Sequence, residues 1–126
     1  MASFNATLRF KADVGSENTS VIYTTDKTIT EGGLQRMKIT GTSKGAGTVI
    51  APNASIASGT YLIVRNMDST ASNFIVISQN NVEFAKLAGG ASGSGDFAIL
   101  PLHMGHDIIA HSTAGTEILE FATYEV

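Results

Sequence analysis

The sequence predicts an all-β protein: an antiparallel two-sheet sandwich with jelly-roll or Greek-key-like connections, built from about nine or ten short strands. Three observations predict it. Runs rich in β-branched and aromatic residues recur at roughly eight-to-twelve-residue spacing. Clusters of Gly, Ser, Asn or Pro separate these runs. Helical apolar periodicity is almost absent, whereas the first segment alternates with period two.

That first segment places Phe4, Ala6, Leu8 and Phe10 on one face and Ser3, Asn5, Thr7 and Arg9 on the other, as a half-buried strand does. Residues 1–18 can serve as an arm or as an edge strand. A polar stretch, 11–18, leads to the β-branched run 19–25. Glu31-Gly32-Gly33 reads as a turn before a strand at 34–40. Residues 41–47 hold three glycines and read as a loop, and the short strand 48–51 stops at Pro52. Strands at 60–65 and 73–78 flank the polar turn 66–72. Strands at 82–87, 96–100, 106–111 and 116–125 follow, divided by 89–95, 101–105 and 112–115. The last strand keeps Tyr124 and Val126 in its pattern, which predicts a C-terminus pinned in a sheet. No fixed repeat and no long linker divides the chain, so residues 1–126 read as a single β-sandwich domain.

Composition narrows the function. Charged residues are 15% of the 126, against roughly 25% in an ordinary globular domain. Twelve Ser and fourteen Thr fill much of the gap. So sparse a charge suits a subunit covered by copies of itself or by neighbours. A formal net charge of −3, with Lys and Arg scattered singly, offers no footprint for nucleic acid. The absence of cysteine excludes disulfides, thiolate catalysis and Cys-ligated zinc. No apolar stretch approaches the roughly 18 residues of a membrane span, and the first ten residues lack the apolar core of a secretory signal. The expectation is a soluble chain with neither nucleic acid nor membrane as partner.

Two strands break the usual alternation. In Tyr61-Leu62-Ile63-Val64 and Phe74-Ile75-Val76-Ile77, apolar side chains point to both faces, although an antiparallel sheet commonly keeps one face wet. Leaving one such face to water forgoes on the order of 10 kcal/mol. The cover comes either from the chain itself or from another subunit. The second option makes these eight residues the candidate interface of a homo-oligomer, expected to be a trimer.

Catalytic chemistry finds little support. All three histidines lie in Leu102-His103-Met104-Gly105-His106-Asp107 and at His111. They are weak metal candidates, because a loop and two opposite strand faces do not converge on one ion. Asp96 and Glu83 are lone acids at strand ends, read as turn or solvation residues. No Gly-x-Ser-x-Gly elbow activates any serine. Gly41-Thr42-Ser43-Lys44-Gly45-Ala46-Gly47 lacks both the spacing of a phosphate loop and a following helix. The chain reads as a non-enzyme with no cofactor.

The stretches Tyr61 through Asp68, Asn73 through Ile77 and Phe84-Ala-Lys-Leu-Ala-Gly89 share a turn grammar with Phe97-Ala-Ile-Leu-Pro-Leu102 and Ile108 through Phe121. Together they resemble small β-sandwich structural proteins of tailed bacteriophages. The resemblance covers about residues 60–126. It implies a virion component on the capsid surface, present in many copies, such as a head decoration or cement protein. The implied partners are the chain itself and a major capsid protein or other virion proteins. It carries over no catalytic residues. A carbohydrate- or receptor-binding module of a phage tail is the alternative that the same fold class allows.

Overall fold

The computed structural model describes residues 2–15, 17–29, 31–103 and 105–125. It contains strands β1 (Ala2–Val14), β2 (Glu17–Ile29), β3 (Glu31–Lys38), β4 (Thr48–Ala51) and β5 (Thr60–Asn66), then β6 (Phe74–Gln79), β7 (Val82–Ala88), β8 (Phe97–Pro101), β9 (Ile108–Ser112) and β10 (Ile118–Glu125). Short 3-10 turns at Lys44–Ala46, Asn53–Ser55 and Ala91–Gly93 are the only helical elements among the described residues.

Every pairing is antiparallel. One sheet has the order β3-β10-β5-β8 and the other β4-β9-β6-β7. The pairs β3·β10, β4·β9, β5·β8 and β6·β7 are nested, as in one long hairpin rolled up so that successive pairs fall in alternate sheets. That is jelly-roll connectivity. The predicted sandwich is therefore the observed fold class.

Strands β1 and β2 form a two-stranded sheet of their own. Their ladder runs without a break from Ala2↔Ile29 to Val14↔Glu17. The stretch 11–18, expected as a polar connection, is mostly strand. Between the two strands Gly15 adopts φ +62°, a left-handed conformation that glycine takes without steric cost. Glu31-Gly32-Gly33 is likewise strand, not turn. These residues face Glu125, Tyr124 and Thr123 of β10, and the long partner's ladder overrides the weak strand preference of glycine on an edge strand. The strand expected at 106–111 begins only at Ile108. Val126 lies outside the described residues.

The core sits between the two jelly-roll sheets. Burial along β5 alternates strictly, with Thr60, Leu62, Val64 and Asn66 inward. Ile39, Ile50, Ile56, Leu62, Val64, Ile75, Ile77, Leu87, Ile108, Leu119 and Phe121 form one cluster of buried residues. Apart from Phe121 these side chains are aliphatic, and branched shapes suit the space between two pleated faces.

Most polar side chains inside are tied to backbone. The Asn66 Nδ2 group donates to the carbonyls of Asn73 (3.0 Å) and Leu87 (2.9 Å), and its Oδ1 accepts from the Asp68 N–H at 2.9 Å. Asp68 Oδ1 in turn accepts from Thr70 N at 2.7 Å. A Cβ at Gly95 would run into the Asn66 carbonyl oxygen, so that position admits only glycine. Asn66, Asp68 and Asn73 thus fasten the connection between β5 and β6.

Candidate interaction surface

The two apolar-on-both-faces strands divide their side chains between core and surface. Leu62, Val64, Ile75 and Ile77 are fully buried in the chain's own core. Val76 points the other way and is also buried, flanked across the sheet by Lys86 and His111. The Lys86 ammonium lies 4.4 Å from the centre of the Phe74 ring. Val76 is thus covered by its own chain, whereas Val49 and Val82 on the edge strands of this sheet are 42% and 62% exposed. Lys44, from the glycine-rich loop, reaches across and donates to the Asn81 carbonyl at 2.6 Å, which gives that lysine a structural partner in place of a phosphate.

The outer face of the other sheet is different. Register places Leu34, Ala122, Ile63 and Ile99 in one row across all four strands. The next row is Gly32, Tyr124, Tyr61 and Pro101. Leu34 is 60% exposed, while Ile63 and Ile99 are half-buried. On the opposite side lies a row of charge. Arg36 Nε donates to Glu120 Oε2 at 2.7 Å, and Arg65 pairs across from Glu120 with its Nε buried and unbonded.

The hairpin adjoins this face at β8. Ala6, Leu8, Tyr23 and Thr25 from the hairpin line a groove of about 360 Å³ together with Phe97 and Ile99. Ala6 and Leu8 belong to the apolar row expected on β1, which Phe4 and Phe10 share by alternation; the side chains of those two phenylalanines lie outside the described ones. Register sets Thr25 and Tyr23 beside Ala6 and Leu8 on the same face. Tyr23 is 65% and Phe97 59% exposed. Leu8, Tyr23 and Phe97 thus cluster at the groove, while Leu34 lies at the far edge of the sheet with the buried Ala122 between them.

Of this surface, sequence reading reached Tyr61 and Ile63 but missed Tyr23, Leu34, Phe97 and Ile99. The available signal was Gly15 between two β-rich segments, a candidate hairpin that would couple both strands' apolar rows.

The histidines do not come together. His103 and His106 stand exposed in the loop before β9, and their carbonyls accept from Gln79 Nε2 at 2.8 and 3.1 Å. His111 is buried on a strand, its Nε2 3.9 Å from Glu83 Oε1 and its Nδ1 without a partner. Among the described residues no three His, Asp or Glu side chains gather as metal ligands. Asp96 Oδ2 accepts from Ala88 N at 3.0 Å, a turn-fastening role. Asp107 Oδ1 does the same for Asn53 N at 2.7 Å. No helix among the described residues is long and apolar enough to cross a membrane.

No family model matches this chain, and no curated protein or solved structure matches it significantly.

Proposed function

We propose that this chain is a non-enzymatic structural protein of a tailed-bacteriophage virion. In this reading it is a capsid decoration or cement subunit, made in the host cytoplasm, that forms a homotrimer on the head surface and braces the major capsid protein. One observation carries the reading. After the jelly roll has closed, Leu34 and Phe97 on the edge strands of one sheet and Leu8 and Tyr23 on the hairpin remain exposed on a subunit with only 15% charged residues. Monomeric soluble proteins rarely leave such a surface to water. Low charge also lets the same contacts repeat over a shell without like-charge repulsion.

The test is co-sedimentation with purified expanded heads that lack the protein. Saturable binding, with heads that withstand more heat, is the expected result. A chain that stays in the supernatant at every ratio would overturn the reading.

A carbohydrate- or receptor-binding tail module draws support from one feature, the exposed Tyr23 ring beside the groove, since sugars stack on aromatic faces. Against it, the chain has no Trp and only three Tyr. Selective binding on a glycan array, with loss on Tyr23→Ala, would favour that module.

A further inference from the structure

We infer that Arg65 anchors an acidic side chain of a partner protein, whose carboxylate seats on the guanidinium at the outer face of the β3-β10-β5-β8 sheet. The inference does not depend on a virion shell, since any protein that presents a carboxylate among apolar side chains meets its terms.

The first argument is a missing partner. Register sets Arg36, Glu120, Arg65 and Phe97 in one row across the four strands, where side chains directly opposite reach one another. Glu120 stands between two arginines and bonds one of them, accepting from Arg36 Nε at 2.7 Å. Asp96, next to Phe97 in the chain, turns its carboxylate to the Ala88 N–H. Among the described residues the Arg65 side chain is left with no hydrogen bond and no ion pair. An arginine in open water needs none. Arg65, however, is half-buried, and its Nε is buried without an acceptor. An unmet donor of this kind calls for a group from outside the chain.

The second argument is placement. A Cβ on Gly93 would stand 3.3 Å from Arg65 Nη2, so the guanidinium rests against the loop between β7 and β8 at a residue without a side chain. A group already held against a loop loses less freedom when a ligand bonds to it.

The third argument is the choice of ligand. The chain carries a net charge of −3, yet this row and the adjoining Lys38–Ile118 pair hold Lys38, Arg36 and Arg65 against one acid, Glu120. Arg36 and Glu120 neutralise each other, which leaves the Arg65 charge open beside a standing carboxylate. A monoanion answers that charge, whereas a dianion such as phosphate meets repulsion from Glu120. Phe97, 59% exposed, lies directly across from Arg65, and Ile118, 44% exposed, lies diagonally from it. These neighbours suit a carboxylate carried on a chain with apolar residues beside it. The guanidinium fork takes a carboxylate through two parallel bonds, and buried arginines and aromatic rings are the usual anchors of protein contacts.

The test is NMR of the intact chain, read at the Arg65 Nε–H and the Gly93 N–H. The probes are the peptides acetyl-Leu-Glu-Leu-amide and acetyl-Leu-Gln-Leu-amide at constant ionic strength, and sodium sulfate as a free oxyanion. The Glu peptide is expected to shift both signals saturably, and the Gln peptide to bind roughly tenfold more weakly. Arg65→Lys keeps the charge and loses the fork, so in that chain the Glu peptide is expected to bind roughly tenfold more weakly at the Gly93 signal. Equal binding of the two peptides would overturn the inference, as would undiminished binding to the Arg65→Lys chain. Sulfate that moves both signals at a lower concentration than the Glu peptide would overturn the assignment to a carboxylate. Signals that stay still with every probe would leave the buried Nε to a fixed water and remove the site. Should Arg65→Lys fail to fold, the two peptides on the parent chain decide alone. A chain that takes the Glu peptide as expected and does not bind heads would keep this site and lose the shell reading; the converse pair of results would do the reverse.

Discussion

Glu117 is fully buried, and its carboxylate is the least expected polar group in the fold. Its Oε1 accepts from Ala114 N at 3.0 Å and from the Thr113 hydroxyl at 3.3 Å, and its Oε2 accepts from Thr116 N at 3.0 Å. Burial pushes its pKa up. The backbone N–H groups of Glu117, Ala114 and Thr116 and the Ser112 side chain outweigh that, holding it below the usual carboxylate value. A depressed folded-state pKa means that the charged form stabilises the fold above the unfolded-state value, and that this contribution is lost as pH falls through the folded-state value. Glu117→Gln should therefore cost about 1–3 kcal/mol at neutral pH. The gap to the parent should close in strong acid, where the parent's carboxyl is protonated too. Urea unfolding at neutral pH and in acid checks both statements, and a gap constant with pH would disprove the charge argument. Asn66 makes the complementary case. Its amide donates to two carbonyls, so Asn66→Asp would set a carboxylate against two acceptors. The expected cost is about 3 kcal/mol by the same measurement, whereas Asn80→Asp, at an exposed turn, should cost little.

At the scale of elements, β10 lies inside its sheet, paired on one side with β3 and on the other with β5. Phe121 and Leu119 carry its inward face into the core. Deleting residues 122–126 removes register partners of Leu34, Ile63, Leu62 and Tyr61, and the truncated chain is expected to be unfolded by circular dichroism and proteolysis. Removing residues 1–29 is the opposite case, since β1 and β2 share no ladder with the jelly roll. That chain should keep its β-sheet spectrum and a cooperative melt. A collapse of the melt would show that the hairpin is part of the core. These elements also show what the sequence made legible. Period-two alternation located β1, and β-branched runs located β5, β6 and β10, because burial against one partner sheet imprints those patterns locally. Glu31-Gly32-Gly33 misled because a glycine pair looks like a turn until a distant strand is known to pair with it. His106 lies before the strand, its carbonyl bonded by Gln79, a loop contact with no local sequence signal. The outer apolar row was unreadable for the same reason: Leu34, Ala122, Ile63 and Ile99 meet only through pairings between segments far apart in sequence.

For the whole molecule, the proposed self-association raises the question of which force would hold copies together, and the distribution of charge bears on it. Its 8 basic and 11 acidic residues give a net charge of −3, too small for strong repulsion between subunits and too dispersed for attraction. A well-formed ion pair on the relevant sheet face joins Arg36 to Glu120 within the same chain, and a partly exposed pair of this kind contributes ~0–1 kcal/mol. The uncharged side chains beside it, Leu34, Ile63, Tyr23 and Phe97, respond to salt in the opposite sense from charges. Screening at about 1 M NaCl shortens the reach of ionic interactions to ~3 Å, and sulfate or phosphate salts favour apolar burial by being excluded from the surface. Self-association measured by light scattering should therefore survive about 1 M NaCl unchanged and tighten in ammonium sulfate. Assembly held by charge would instead fall apart as NaCl rises, and that result would move the contact from the apolar rows to the Arg36, Glu120 and Arg65 edge of the same sheet.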